Sequence, residues 1–344
     1  MPYFSSKEFP KLLYWLLFLF GLHFAISDLF NHLKGIVRMK ITKTTSRYAL
    51  AMLAGILFSS VAVSAESTRA GWSPTNPPKG HLAHGALMSL APNPNVKPKK
   101  DAEGNYLTGG IGVLVYDGVN AMDVMGPFQV FSSAGLQPML ISAQRDAKTG
   151  QFKSAIKASN GVELPAARTI DNTSNLDVLV LPGGVTETIF MAQNPEVLSW
   201  IKNVDQGTVW TSSVCTGSWI LGATGLLKGK KATSNWYRVD RTLQHFGAIP
   251  MSRRRYVQDG KIWTSAGVTA GIDMALAMVQ YLFRNDMTNG KDFTQAVMLD
   301  LEYDPNPPVI GGSKSKTHPY VYAGMEWMYD YFKIIDYVEM IPVQ

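Results

Sequence analysis

Residues 208–227, TVWTSSVCTGSWILGATGLL, place a single cysteine between an apolar run and a helical pattern. TVWTSSV (208–214) reads as a buried strand, and Cys215 to Leu227 reads as a helix begun immediately behind it. A turn that sharp crowds the backbone at its tip and demands small neighbours, which Ser212, Ser213, Thr216, Gly217 and Ser218 supply. The helix N-terminus behind Cys215 is expected to lower its thiol pKa. A lone cysteine is otherwise a small buried hydrophobe, and it is the elbow position that favours a nucleophile.

Outward from this elbow the same alternation recurs. IGVLVY (111–116) is a continuous apolar run of the kind a parallel strand buries on both faces, and a helix-like stretch follows to Phe131. QPMLISA (137–143) and DVLVLPGG (177–184) read as further strands, and Thr186 to Val204 as one helix. RRRYVQDGKIWTSAG (253–267) reads as a hairpin around Asp259-Gly260, with helices at 269–284 and 291–302. Strands separated by helices predict an α/β fold, a mostly parallel sheet covered on both faces. No repeat at a fixed period is visible.

The chain has 344 residues, 46% hydrophobic and 17% charged, which is globular composition. One cysteine excludes an intramolecular disulfide framework and a thiolate-rich metal cluster. The net charge of +6 would suit a nucleic acid or a membrane surface, but the first 65 residues hold seven Lys and Arg against two acids. What remains, residues 66–344, has 25 basic against 24 acidic side chains, so no nucleic-acid partner is expected.

Those first 65 residues read as a leader. Leu12–Ile26 is an apolar run of 15, marginal for a membrane span. From Met39, Lys40, Lys43 and Arg47 precede an apolar stretch, Tyr48 to Val63, and then the small-residue pattern Val63-Ser64-Ala65. This is the layout of a signal peptide over 39–65, cleaved after Ala65 for export to the periplasm or beyond; a retained membrane anchor is the alternative. N-terminal sequencing that finds Glu66 first would distinguish the two. Met39 is then the better initiator, and residues 1–38 an over-long gene assignment or an extra hydrophobic segment. Residues 66–107 are a Pro/Gly-rich arm, in which His81 and His84 read as a solvated pair rather than a metal site. The domain proper is 108–304. Residues 305–344 form an extension with one amphipathic helix, MEWMYDYFKIIDYVEM (325–340), too short for a paired helix-turn-helix. Its aromatic stripe (Trp327, Tyr329, Tyr331, Phe332, Tyr337) is expected to pack in the core or a dimer interface. Arg253-Arg254-Arg255 reads as charge on a solvated edge strand.

Two further positions join Cys215 on chemical grounds. Asp123, in MDVMGP, is an acid just beyond a strand end, where such sheets build their sites, or else a helix N-cap. Gly183-Gly184 lets the backbone approach a substrate, or makes a tight turn.

YDGVNAMDVMGPFQVF, DVLVLPGG, TSSVCTGSWILGATGLLKGKKAT, GVTAGIDMALAMV and LEYDPNPP, in that order, resemble the ThiJ/PfpI superfamily of glutamine-amidotransferase-like folds. Within it they are most similar to the isocyanide hydratases and to the amidase-like domain attached to some transcriptional regulators. The resemblance implies a flavodoxin-like three-layer sandwich, a homodimer, no metal or cofactor, and a small-molecule substrate. It makes Cys215 the nucleophile and Asp123 the residue that handles protons. Gly183, Gly184 and Thr216 would form an oxyanion pocket through the amides of Gly184 and Thr216, and the Thr216 hydroxyl would lie beside the thiolate. Asn235 and Trp236, at the place where many relatives read Thr-Thr-His-Trp, would be pocket residues. Asn235 cannot shuttle a proton near neutral pH, no histidine adjoins Cys215, and Thr216 replaces the histidine of peptidase-like members. A peptidase or amidotransferase mechanism is therefore not expected. The implied reaction is attack of Cys215 on an isocyanide, giving a thioimidate and then an N-substituted formamide. The alternative is a non-catalytic ligand binder or redox sensor in which Cys215 oxidises to sulfinic acid.

Overall fold

The computed structural model describes residues 110–284 and 290–344. The expected leader and arm, with His81 and His84, lie outside the described residues.

Strand β1 (Ile111–Val115) leads to helix α1 (Ala121–Ser133), then β2 (Pro138–Ser142), a hairpin of β3 (Ala155–Lys157) and β4 (Glu163–Pro165), and β5 (Arg168–Thr169). Next come β6 (Val178–Leu181), α2 (Thr186–Ala192), α3 (Pro195–Gly207), β7 (Trp210–Val214) and α4 (Gly217–Ala223). The chain continues through β8 (Lys231–Ala232), α5 (Val239–His245), β9 (Ile249–Pro250), β10 (Tyr256–Asp259), β11 (Ile262–Ser265) and α6 (Thr269–Leu282). It closes with α7 (Lys291–Asp300), α8 (Pro319–Tyr331) and α9 (Ile334–Glu339).

Seven strands form one sheet in the order β10-β11-β7-β6-β1-β2-β5, parallel throughout except for the β10–β11 hairpin at one edge. Every residue of β1, β6, β7 and β11 is buried, which is why these strands read as runs rather than alternations. Helices α1 and α6 pack together with α7, while α4 packs with α2, α3 and α5. Right-handed crossovers produce two such groups when strand order reverses, and here it reverses between β1 and β6. The expected mostly parallel, helix-covered sheet is therefore the fold found. β7 is buried yet polar. Its Ser212 hydroxyl donates to Leu179 O at 2.9 Å and Thr211 Oγ1 to Asp205 Oδ1 at 2.6 Å, which satisfies two of its three buried hydroxyls, while Ser213 Oγ has no partner.

Three expected elements differ. The helix expected over 186–204 is two helices, because Pro195 cannot continue α2 and Asn194 instead caps α3, accepting from the Glu196 and Val197 amides. The single C-terminal helix is also two, broken at Lys333 with φ 53°. Its aromatic stripe is not core: Trp327, Tyr331, Phe332 and Tyr337 are exposed and only Tyr329 packs inward. The core contact comes from α9, whose Ile334, Ile335 and Val338 join Ile341 among the buried residues. Arg253–Arg255 precede β10 rather than lie on it, and Arg255 is paired with Asp273. Among the described residues no helix is long and apolar enough to cross a membrane.

Candidate active site

The reversal of strand order puts the switch point of the sheet at the C-terminal ends of β1 and β6, the place where open α/β sheets take their ligands. Four neighbouring strands, β1, β6, β7 and β11, deliver Asp123, Gly183-Gly184, Cys215 and Val268 to this edge.

Cys215 stands between β7 and α4 with φ 58°, a left-handed conformation that non-glycine residues rarely hold. Val185 (φ 50°) and Val268 (φ 38°) repeat the feature at the starts of α2 and α6, so three of the six such residues among those described stand at this edge. The elbow is over-determined by its surroundings. The Cys215 amide donates to Ser265 O and Ala266 O, both at 3.1 Å. The Cys215 carbonyl accepts from Ser218 Oγ at 3.1 Å and Ser234 Oγ at 3.2 Å. Behind it, a Cβ on Gly217 would overlap the Leu181 carbonyl, so only glycine lets α4 start this close to β6.

The thiol is 5% exposed. Asn235 Nδ2 donates to Sγ at 3.2 Å, and the Tyr237 amide, donating to Asn235 Oδ1 at 2.9 Å, fixes which end of the side-chain amide meets sulfur. Burial pushes the thiol pKa up to about 12, and the charge on Asp123 acts in the same direction. The bonds from Asn235 and the Thr216 amide oppose this more weakly. The expected low-pKa thiol is thus corrected: desolvation outweighs a seven-residue helix.

Asp123 is not the N-cap. Asn120 fills that role, accepting from the Met122 and Asp123 amides, and Asp123 sits in the first turn of α1 with no exposed surface. Its Oδ2 accepts from the Gly183 amide at 3.1 Å, while Oδ1 has no hydrogen-bond partner. Burial raises this carboxyl to about 6; the Gly183 amide, and more weakly Cys215 and the Val268 amide, favour the anion. Near neutral pH the pair therefore holds one proton, on sulfur, beside a carboxylate that desolvation keeps basic.

The glycine pair does not leave the expected open oxyanion pocket. The Gly183 amide is taken by Asp123, and the Gly184 and Val185 amides donate to Thr216 Oγ1 at 3.1 and 3.2 Å. Thr216 Oγ1 also meets Thr188 Oγ1 at 3.1 Å, Thr188 meets Tyr116 Oη at 3.1 Å, and Tyr116 donates to Pro182 O at 2.9 Å. Because Tyr116 spends its proton on the carbonyl, the chain has one direction: Thr216 donates to Thr188, and Thr188 to Tyr116. The Thr216 hydroxyl is thereby fully used in fastening the β6 turn to the elbow. Its amide, in contrast, points toward sulfur.

Trp236 is half-buried and stacks edge-on with Tyr237, Tyr322 and Tyr329 at centroid distances of 6.0, 5.6 and 5.2 Å. Tyr322 and Tyr329 come from α8, which sequence reading left outside the site. The signal was present in the spacing of Tyr322, Glu326, Tyr329 and Asp330, one helix face and the only one α8 turns inward. Among the described residues no three His, Cys, Asp or Glu side chains converge as a metal site would need.

The comparisons with known proteins meet this geometry. The DJ-1/PfpI family model matches residues 110–281. Isonitrile hydratase of Pseudomonas putida is 37% identical over 204 residues, 59% of this chain and 82% of that protein. A helix-turn-helix-type transcriptional regulator of Pseudomonas aeruginosa is 28% identical over 124 residues, 36% of each chain. Among solved structures, a ThiJ/PfpI family protein from Pseudomonas syringae superposes with a TM-score of 0.60 at 33% identity, covering 73% of this chain and all of that one. The matched stretch contains every strand of the main sheet and the elbow with its cysteine, and by it the chain belongs to the DJ-1/PfpI family.

Proposed function

We propose that the protein is a cysteine-dependent hydratase that adds water to an isocyanide. The observation that carries this is the buried Cys215–Asp123 pair, a thiol beside a carboxylate whose Oδ1 has no partner. Similarity to the isonitrile hydratase of Pseudomonas putida supports the choice of substrate.

The terminal carbon of an isocyanide accepts both a nucleophile and a proton, so one thiol and one proton carrier suffice. Asp123 takes the Sγ proton as sulfur attacks that carbon, and the anion that would be costly on a free thiol never stands alone. The carboxyl then returns the proton to the same carbon, leaving a neutral thioimidate, R–N=CH–S–Cys215. Water adds to the thioimidate carbon and the C–S bond breaks, which releases R–NH–CHO and the thiol. The Asn235 donor and the Thr216 amide face sulfur and stabilise charge gathered there during attack and departure. No histidine is needed, which agrees with Asn235 at its position.

A redox-sensing role would require an accessible thiolate. A thiol 5% exposed and pushed up to about 12 counts against it.

The test is formation of N-methylformamide or N-benzylformamide from the corresponding isocyanide, followed by NMR. Cys215→Ala should abolish turnover, and Asp123→Asn should lower kcat by about 100-fold or more, the usual worth of a positioned proton carrier. Normal turnover by Cys215→Ala would refute the mechanism.

A further inference from the structure

The C-terminal helix α8 reaches the neighbourhood of Cys215, and nothing in the reaction above uses it. Its inward face is Tyr322, Glu326, Tyr329 and Asp330. Asp330 is held by a two-pronged bond from Arg238, Nε at 2.9 Å and Nη2 at 2.5 Å, and by Tyr237 Oη at 2.6 Å. These bonds join α8 to the segment carrying Asn235 and Trp236, whose first member touches the sulfur. The Tyr329 ring lies 5.2 Å from Trp236 and 4.8 Å from Tyr237, centroid to centroid. Its hydroxyl makes no hydrogen bond to a described residue, although the ring is largely covered. Asn235, which donates to the sulfur at 3.2 Å, directly precedes Trp236, and Tyr329 packs on Trp236, so the pair of rings lies on the chain segment that meets the thiol.

We propose that Trp236 and Tyr329 form an aromatic wall beside Cys215 that receives the organic substituent of the electrophile, making aryl and arylalkyl isocyanides the preferred substrates. The proposal rests on the hydratase reading for the reactive group and on the aromatic cluster for the substituent. The two rings meet at 69° and make an apolar corner against which a third ring can pack, and a methyl group would leave most of it uncovered. The free Tyr329 hydroxyl adds one donor for the formamide oxygen as product forms. Arg238 and Asp330 are positioning residues, since they bond each other and Tyr237 and so tie α8 to the segment that carries Trp236.

The experiment compares kcat/KM for benzyl and methyl isocyanide in wild type, Trp236→Ala, Tyr329→Ala and Tyr329→Phe. The benzyl-to-methyl ratio should fall about tenfold or more in either alanine variant, the scale on which a lost apolar contact discriminates substrates, and should fall less in Tyr329→Phe, which keeps the ring. In parallel, N-benzylformamide and N-methylformamide are titrated into the protein by calorimetry, and the benzyl-to-methyl ratio of association constants should fall in the same two variants. An unchanged or increased ratio in folded variants, judged by an intact thermal transition, overturns the wall. Wild type that hydrates neither isocyanide overturns the hydratase reading, and the ratio of association constants then decides the wall by itself.

Discussion

Asp123 carries charge where water does not reach, and the consequence is measurable apart from any catalysis. Its carboxyl titrates near 3.8 in the unfolded chain and near 6 in the fold, chiefly through desolvation. As pH rises through 3.8 the unfolded chain releases this proton while the native state keeps it. Native stability therefore declines across the window from about pH 4 to pH 6 and stays reduced above it. Two pKa units correspond to roughly 3 kcal/mol. Asp123→Asn, which can still accept from the Gly183 amide, removes the penalty. The variant should gain about 1–3 kcal/mol over wild type near pH 8 and nothing near pH 3, where Asp123 is protonated in the folded and the unfolded chain alike. Urea unfolding at the two pH values reads this directly, and an equal effect at both would show that charge burial is not the cause. A residue that weakens the fold at working pH is the usual signature of a site, not of a core.

At the scale of elements, the site depends on how closely the β6 turn approaches the elbow. Gly183 lies where a Cβ would stand 2.7 Å from the Thr216 amide nitrogen and 3.0 Å from Asp123 Oδ2, with the Thr216 hydroxyl closer still. Gly183→Ala must then push the turn away from both Asp123 and Thr216, at a cost of about 1–3 kcal/mol. It should lower the thermal midpoint and, by loosening the bond from residue 183 to Asp123, move the acid limb of the pH–rate profile upward. A variant with the wild-type midpoint and profile would mean that the turn is not held as tightly as these contacts require.

This edge was legible in the sequence because strand ends, a glycine pair and small residues around Cys215 are local signals. Asn194-Pro195 was also a local signal, but the apolar period running through it suggested one helix. The thiol pKa was not legible, since its direction follows from burial by segments far apart in the chain. Nor was the approach of α8, which rests on bonds between Arg238 and Asp330, 92 positions apart.

At the scale of the molecule, the last 26 residues are part of the fold and not an appendage to it. α8 buries none of its residues completely, whereas Ile334, Ile335, Val338 and Ile341 are each at most 6% exposed. One side-chain and one backbone hydrogen bond seal this end: His245 Nε2 bonds Ile341 O at 2.9 Å, and the Gln344 amide donates to Ala223 O at 3.0 Å. Arg241 adds a two-pronged pair with Glu339, but both partners are too exposed for it to decide anything. Four buried aliphatic side chains at about 1.5–3 kcal/mol each amount to roughly 6–12 kcal/mol, comparable with the whole stability of an ordinary domain. A chain ended at Thr317 should accordingly lose its cooperative thermal transition, and Val338→Ala alone should cost about 2 kcal/mol, with the fold retained. The pair of results separates two views of this segment. If the shortened chain melted like the intact one, α9 would be an ornament and α8 would have no fixed base from which to hold Tyr329 near the thiol. If it unfolds while Val338→Ala keeps both its transition and Cys215-dependent turnover, the segment anchors through its second helix and meets the site through its first.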